Sequence, residues 1–180
     1  MLTITIPATE FWDERKQEFV SMKEQTLQLE HSLVSLSKWE SKWNKPFLTD
    51  KPKTDEEVLD YIKCMTITQN VSPETYLRLT KDNITQINNY IGASMTATTF
   101  SEDKTQKPNR EIVTSELIYY WMIAMGIPPE YQKWHLNRLM TLIRVCSIKN
   151  QPPKKRSARE TASRNAALNA ARRKQLNTKG

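Results

Sequence analysis

The sequence predicts a mainly helical fold with a small N-terminal β element: an α+β body built around a central helix–corner–helix hairpin, followed by a basic C-terminal arm. Three observations point there. Glu111 to Lys149 is the densest apolar stretch, and its apolar residues recur at three- to four-residue spacing. Leu2–Ile6 and Thr26–His31 instead alternate apolar and polar, at strand period. The charge is segregated. Residues 150–180 hold nine basic side chains against Glu160, a net +8, whereas the whole chain is +7, so residues 1–149 sum to −1. The pI of 9.4 thus belongs to the arm, and the near-neutral body has no need of an anionic partner. The predicted division is a globular body over 1–149 and an arm over 150–180.

In chain order, Leu2-Thr3-Ile4-Thr5-Ile6 reads as a strand ended by Pro7, pairing with the strand around Leu27–His31. Thr9 is expected to cap a short turn that holds Phe11 and Trp12 against the body. Asp13 to Lys23 is highly charged. After His31 the period changes: Leu33, Leu36, Trp39 and Trp43 predict a helix over Leu33–Trp43, capped by Ser32 and stopped by Pro46. Thr54-Asp55-Glu56-Glu57 is a capping box ahead of Val58, Leu59, Tyr61, Ile62 and Met65. Ser72-Pro73-Glu74 opens another helix with Tyr76, Leu77 and Leu79. A further one runs from Asp82 to Gly92. Met95 to Phe100 is rich in β-branched residues and predicts a third strand. Ser101 to Asn109 reads as an exposed loop.

The central hairpin has clear punctuation. Thr114 or Ser115 caps its first helix, with Leu117, Ile118, Tyr120, Trp121 and Ala124 as the apolar face. Gly126 ends it in a left-handed conformation, and Pro128 and Pro129 suit the first turn of a second helix. Trp134 or Leu136, then Leu139, Met140, Leu142, Ile143 and Cys146, would form the second face. Asn150-Gln151-Pro152-Pro153 breaks the chain. Beyond it, Ser157 with Glu160 offers a capping box for a polar, basic helix whose large apolar residues are Leu168 and Leu176. Such a helix can bury little surface by itself.

Composition excludes several classes. Three glycines and no GxxxxGK or GxGxxG leave no Gly-rich phosphate loop. Cys64 and Cys146 lack CxxC spacing, so neither a zinc site nor a disulfide framework is expected. No signal-peptide pattern opens the sequence, and no apolar run reaches about 18 residues, so no membrane partner is expected. His31 and His135 have no nucleophile–carboxylate signature around them and read as structural. Asp55, Glu56, Glu57 and Asp60 read as a favourable helix N-terminus rather than a metal cluster. Trp39 and Trp43, flanked by Lys38 and Lys42, read as a core stripe in preference to a platform for single-stranded nucleic acid. The Gly126 corner reads as core packing in preference to a DNA-reading helix pair. No catalytic, cofactor-binding or metal-binding residues are expected, and the protein is expected not to be an enzyme.

Two regions carry functional expectations. Whatever part of Tyr119, Trp121, Met125 and Trp134 stays uncovered is a candidate protein-binding surface. The arm, with Lys154, Lys155, Arg156, Arg159, Arg164, Arg172, Arg173 and Lys174, is either a solvated end or an electrostatic contact for RNA, DNA or an acidic protein.

LEHSLVSLSKWESKWNKPFL (Leu29–Leu48), ELIYYWMIAMGIPPEYQKWHLNRLMTLIRVCSIKNQPPKK (Glu116–Lys155) and SRNAALNAARRKQLNTKG (Ser163–Gly180) resemble a family of small proteins encoded in tailed bacteriophages and prophages. The resemblance implies a place in tail morphogenesis. It points to a largely helical, non-enzymatic tail assembly chaperone that binds the tape-measure protein in the host cytoplasm, with self-association open. A structural virion component of head, connector or tail, with a basic arm on neighbouring subunits, is the first alternative. A nucleic-acid-binding protein using the arm is the second.

Overall fold

A computed structural model describes residues 1–14, 17–100, 111–151 and 158–178. They form a mainly helical protein with a small N-terminal β element, as the periodicities predict, and that element holds two antiparallel sheets where one was expected. The chain divides into two compact units, Met1–Ser147 and Ile148–Gly180.

Strand β1 (Leu2–Ile6) pairs with β4 (Gln25–Leu29), setting Leu2 opposite Leu29 and Ile4 opposite Leu27. Ile4, Ile6, Leu27 and Leu29 point inward and are buried, while Thr3, Thr5, Thr26 and Gln28 point out. That is the expected consequence of a two-residue period. Between them lies a second hairpin, β2 (Thr9–Asp13) with β3 (Glu18–Met22). This replaces the capped turn expected after Thr9. Trp12 sits directly across from Phe19, with ring centroids 5.0 Å apart in an edge contact. Both side chains are exposed, so Trp12 is not held against the body as expected; the Phe11 side chain, expected there too, lies outside the described residues. The aromatic cross-strand pair and β-forming neighbours stabilise the hairpin despite its charge.

Helix α1 (Leu33–Trp43) starts at Ser32, whose hydroxyl accepts from the Ser35 N–H. Helix α2 (Asp55–Met65) starts at the Thr54–Glu57 capping box. Helices α3 (Pro73–Leu77) and α4 (Lys81–Gly92) follow. One apolar core joins β1 and β4 to Trp39, Tyr61, Ile62, Met65, Tyr76, Ile87 and Tyr90. A second joins Leu33 and Leu36 of α1 to Ile118, Met122, Ile127, Leu136, Leu139 and Ile143. Thus α1 serves both cores from different faces.

The carboxylates of α2 fasten it to α1, through Asp60, and to the turn that follows α1, through Glu57. Glu57 accepts from the Thr54 N–H at 2.9 Å and from Lys45 at 2.6 Å. Lys45 and that backbone bond hold the Glu57 carboxyl below its ordinary pKa. Burial opposes ionisation of Asp60, but hydrogen bonds from Lys42 and from Trp43 Nε1 prevail, and its pKa is also lowered. Trp39 is buried and donates Nε1–H to the Glu57 carbonyl at 2.9 Å. The Trp39–Trp43 stripe is therefore a packing face.

Helix α5 (Ser115–Ala124) is capped by Thr114, which accepts from the Leu117 N–H. Gly126 lies at φ +64°, as its place after the helix requires. Nothing approaches a Cβ added there, so Gly126→Ala is expected to cost only the backbone strain, about 1 kcal/mol, read as a small fall in urea midpoint. Two expectations need correction. Helix α6 (Leu136–Asn150) begins at Leu136, and Pro128–Pro129 lead instead into a 3-10 turn, Pro129–Lys133. The cause is non-local. Trp134 is extended, His135 bridges to Ser32, and the Leu136 N–H donates to the His31 carbonyl at 2.7 Å. Residues 95–100 are not a strand, and Met95 is left-handed at φ +52°. β-Branched residues favour a strand only where a partner edge exists. The loop expected at Ser101–Asn109 lies outside the described residues.

Candidate docking groove

The buried face of α5 is Ser115, Ile118 and Met122. Tyr120 and Ala124, expected in the core, are exposed. Once Ile118 and Met122 face the core, Trp121 and Met125 fall one turn apart on a half-buried flank. Leu139 and Ile143 anchor α6 in the same way, bringing Met140 and Arg144 up beside that flank. The irregular segment from Ser94 to Phe100 forms the opposite wall. Together they enclose an open groove of about 670 Å³ with Trp121, Met125, Met140 and Ile143 as its apolar lining. The Arg144 guanidinium lies over the Phe100 ring, 4.1 Å from its centroid.

The structure thus unites two of the expected binding residues, Trp121 and Met125, and places the other two elsewhere. Tyr119 donates its hydroxyl to Gln132 Oε1 at 3.0 Å, bracing the 3-10 turn against α5. Burial, with Glu116 nearby, raises its hydroxyl pKa. Trp134 stacks on Tyr131 at 4.1 Å and is covered by the Arg138 guanidinium at 4.0 Å. Tyr119 and Trp134 stiffen the corner. Met140, Phe100 and Arg144 complete the groove, and sequence reasoning missed this role. Met140 was legible only as a core position, because the pairing of α5 with α6 decides which flank stays open.

The two histidines meet in space, which their separation in sequence conceals. Their ring centroids are 5.1 Å apart. His31 Nδ1 lies 2.6 Å from the Tyr61 hydroxyl. His135 Nδ1 accepts from the Asn137 N–H at 3.3 Å, so Nε2 carries the proton and donates to the Tyr90 carbonyl at 2.9 Å. Tyr90 in turn donates its hydroxyl to Glu30 at 2.6 Å. These bonds tie α2, α4 and the start of α6 to the turn before α1. Among the described residues, no group of three His, Cys, Asp or Glu is placed to hold a metal ion.

Of the basic arm, Arg159, Arg164, Arg172, Arg173 and Lys174 are exposed on helix α7 (Ala158–Leu176). Lys154, Lys155 and Arg156 lie outside the described residues, as does the expected cap Ser157. No described helix is long and apolar enough to cross a membrane.

No protein-family model, curated protein or solved structure matches this chain.

Proposed function

We propose that the protein is a non-enzymatic phage assembly protein of the tail-chaperone type, and that it holds an amphipathic segment of the tape-measure protein in the α5–α6 groove. The groove is the observation that carries this reading. Its volume suits a row of side chains from one helix face. Met125 and Met140 give it adaptable walls, which a chaperone needs when successive partner segments differ. The sequence resemblance of Leu29–Leu48, Glu116–Lys155 and Ser163–Gly180 supplies the biological setting. On this reading the protein works in the host cytoplasm.

Co-expression with the tape-measure protein of the same phage tests the proposal. The expected result is a complex on size exclusion and a soluble tape-measure protein. Met125→Glu is expected to weaken the complex about 30-fold, as loss of a hot spot does, and to lower the urea midpoint modestly, because Met125 also packs against the second core. A tape-measure protein equally soluble alone, with no complex formed, would overturn it. Mass spectrometry of purified virions separates the alternative: a chaperone is absent from them, a structural component is present.

A further inference from the structure

Helix α7 has no apolar stripe. Its described side chains are all exposed, and its apolar content is mostly alanine. A helix that docks in a protein groove or on a lipid surface presents one continuous apolar face. One that docks on a flat acidic surface needs its cations on one side. Neither pattern is present.

The basic residues are instead spread around the axis. At about 100° per residue, the widest angular gap between Arg159, Arg164, Arg172, Arg173 and Lys174 is itself only about 100°. Asn165 and Asn169 occupy that gap, one turn apart. With this pair as the front, Arg164 and Arg172 fall on one flank and Arg159 and Arg173 on the other. Lys174 falls at the back. Ala162 lies between the front and the second flank, Ala166 lies between the two arginines of that flank, and both keep that side of the helix slim.

This arrangement matches a groove with two negative walls and a hydrogen-bonding floor. The major groove of B-form DNA is about 12 Å wide and admits an α-helix of about that diameter. Its walls are phosphate rows, each facing one arginine pair. Its floor presents base edges, and an Asn amide pairs well with the N6 and N7 edge of adenine. Leu176, further along the same front, suits a thymine methyl group. Duplex RNA is a poorer match, because its major groove is too narrow for side chains to read.

We propose that α7 is a DNA-binding arm that lies in the major groove of duplex DNA, with Arg164 and Arg172 on one phosphate wall, Arg159 and Arg173 on the other, and Asn165 and Asn169 toward the bases. None of these residues lines the α5–α6 groove, and Met125→Glu changes none of them. Failure of the tape-measure experiment therefore says nothing about α7, and the reverse also holds.

The test uses the full chain and a labelled DNA duplex of three helical turns, with affinity measured by fluorescence anisotropy across a salt series. Four phosphate contacts give a log–log slope of about −3.6, steeper if residues before the helix add contacts. Between about 50 and 200 mM salt, that is roughly a 150-fold loss of affinity. Arg164→Ala with Arg172→Ala, and separately Arg159→Ala with Arg173→Ala, are each expected to make the slope shallower by about 1.8. Lys154, Lys155 and Arg156 remain in every variant, so the differences report the helix alone. Alanine is the best helix former, so lost binding cannot be laid to a melted helix. Lys174→Ala is expected to change the slope little.

Four results would overturn the proposal. One is a salt-independent affinity. Another is a loss confined to one arginine pair, which marks a one-sided contact of the kind an acidic protein makes. The third is equal binding of single-stranded DNA, and the fourth is equal binding of duplex RNA.

Discussion

Glu40→Ala is expected to lower stability by about 3 kcal/mol, read as a marked fall in the urea midpoint. Glu40 is buried within α1, although the spacing of its neighbours makes the position look nearly equivalent to Trp39. Its two carboxylate oxygens serve two different segments. Oε1 accepts from the Phe47 N–H at 2.7 Å, and Oε2 accepts from the Ser115 N–H at 2.7 Å. Ser115 opens α5, so the carboxylate also meets the positive end of that helix dipole. Phe47 stacks on Tyr61 at 4.0 Å and packs edge-on against Trp39 at 5.0 Å, and it touches both cores. Removing the carboxylate leaves the buried Ser115 N–H and the part-buried Phe47 N–H without their acceptor, at a cost of about 1–3 kcal/mol for a fully buried donor and less for the other. Glu40→Gln keeps one acceptor oxygen and loses the charge, so about half the effect is expected. A midpoint for Glu40→Ala within about 0.5 kcal/mol of wild type would show that the loop and α5 are held by packing alone. The groove stands on the same support, because Trp121 and Met125 ride on α5.

Local signals in the sequence were readable, and distant ones were not. The caps at Ser32, Thr54 and Thr114 act within three residues, so residue type alone places them. The pairing of Leu2–Ile6 with the segment around Leu27 was readable because alternation fixes which side chains face the core. The face of α5 was not. That helix is apolar around most of its circumference, so spacing does not choose between Ile118–Met122 and Tyr120–Ala124. The start of α6 depends on a backbone bridge to Ser32, a partner with no neighbouring signal. The stretch from Met95 to Phe100 has strand-forming residues but no strand beside it. For the site, Trp121 and Met125 could be named in advance because they are large residues on an over-apolar helix. The wall from Ser94 to Phe100 could not, since only tertiary packing brings it there.

Buried His31 gives the clearest pH dependence. His31 is buried, and burial first, then the nearby His135, lowers its pKa from 6.5 to about 4. The unfolded chain therefore takes up a proton near pH 6.5 that the folded chain refuses until about pH 4. His31 opposes unfolding least at low pH. Its contribution is complete above the unfolded value and is lost as pH falls through the window between the two. The loss reaches about 2.5 kcal/mol near pH 4.5. Glu57 and Asp60 have lowered pKa values, so their contribution is lost mainly below this window. Urea midpoints measured from about pH 7.5 down to about 4.5 are expected to fall steadily for the wild type, by an amount set by that loss. His31→Phe removes the titrating ring. It also removes the partner of the Tyr61 hydroxyl, so its midpoint starts lower at neutral pH. Its slope across the window is nevertheless expected to be much flatter, because the slope reports proton uptake and not packing. If His31→Phe follows the wild-type slope, the proton is taken up elsewhere. If the wild type is flat, the buried His31 ring does not couple folding to pH.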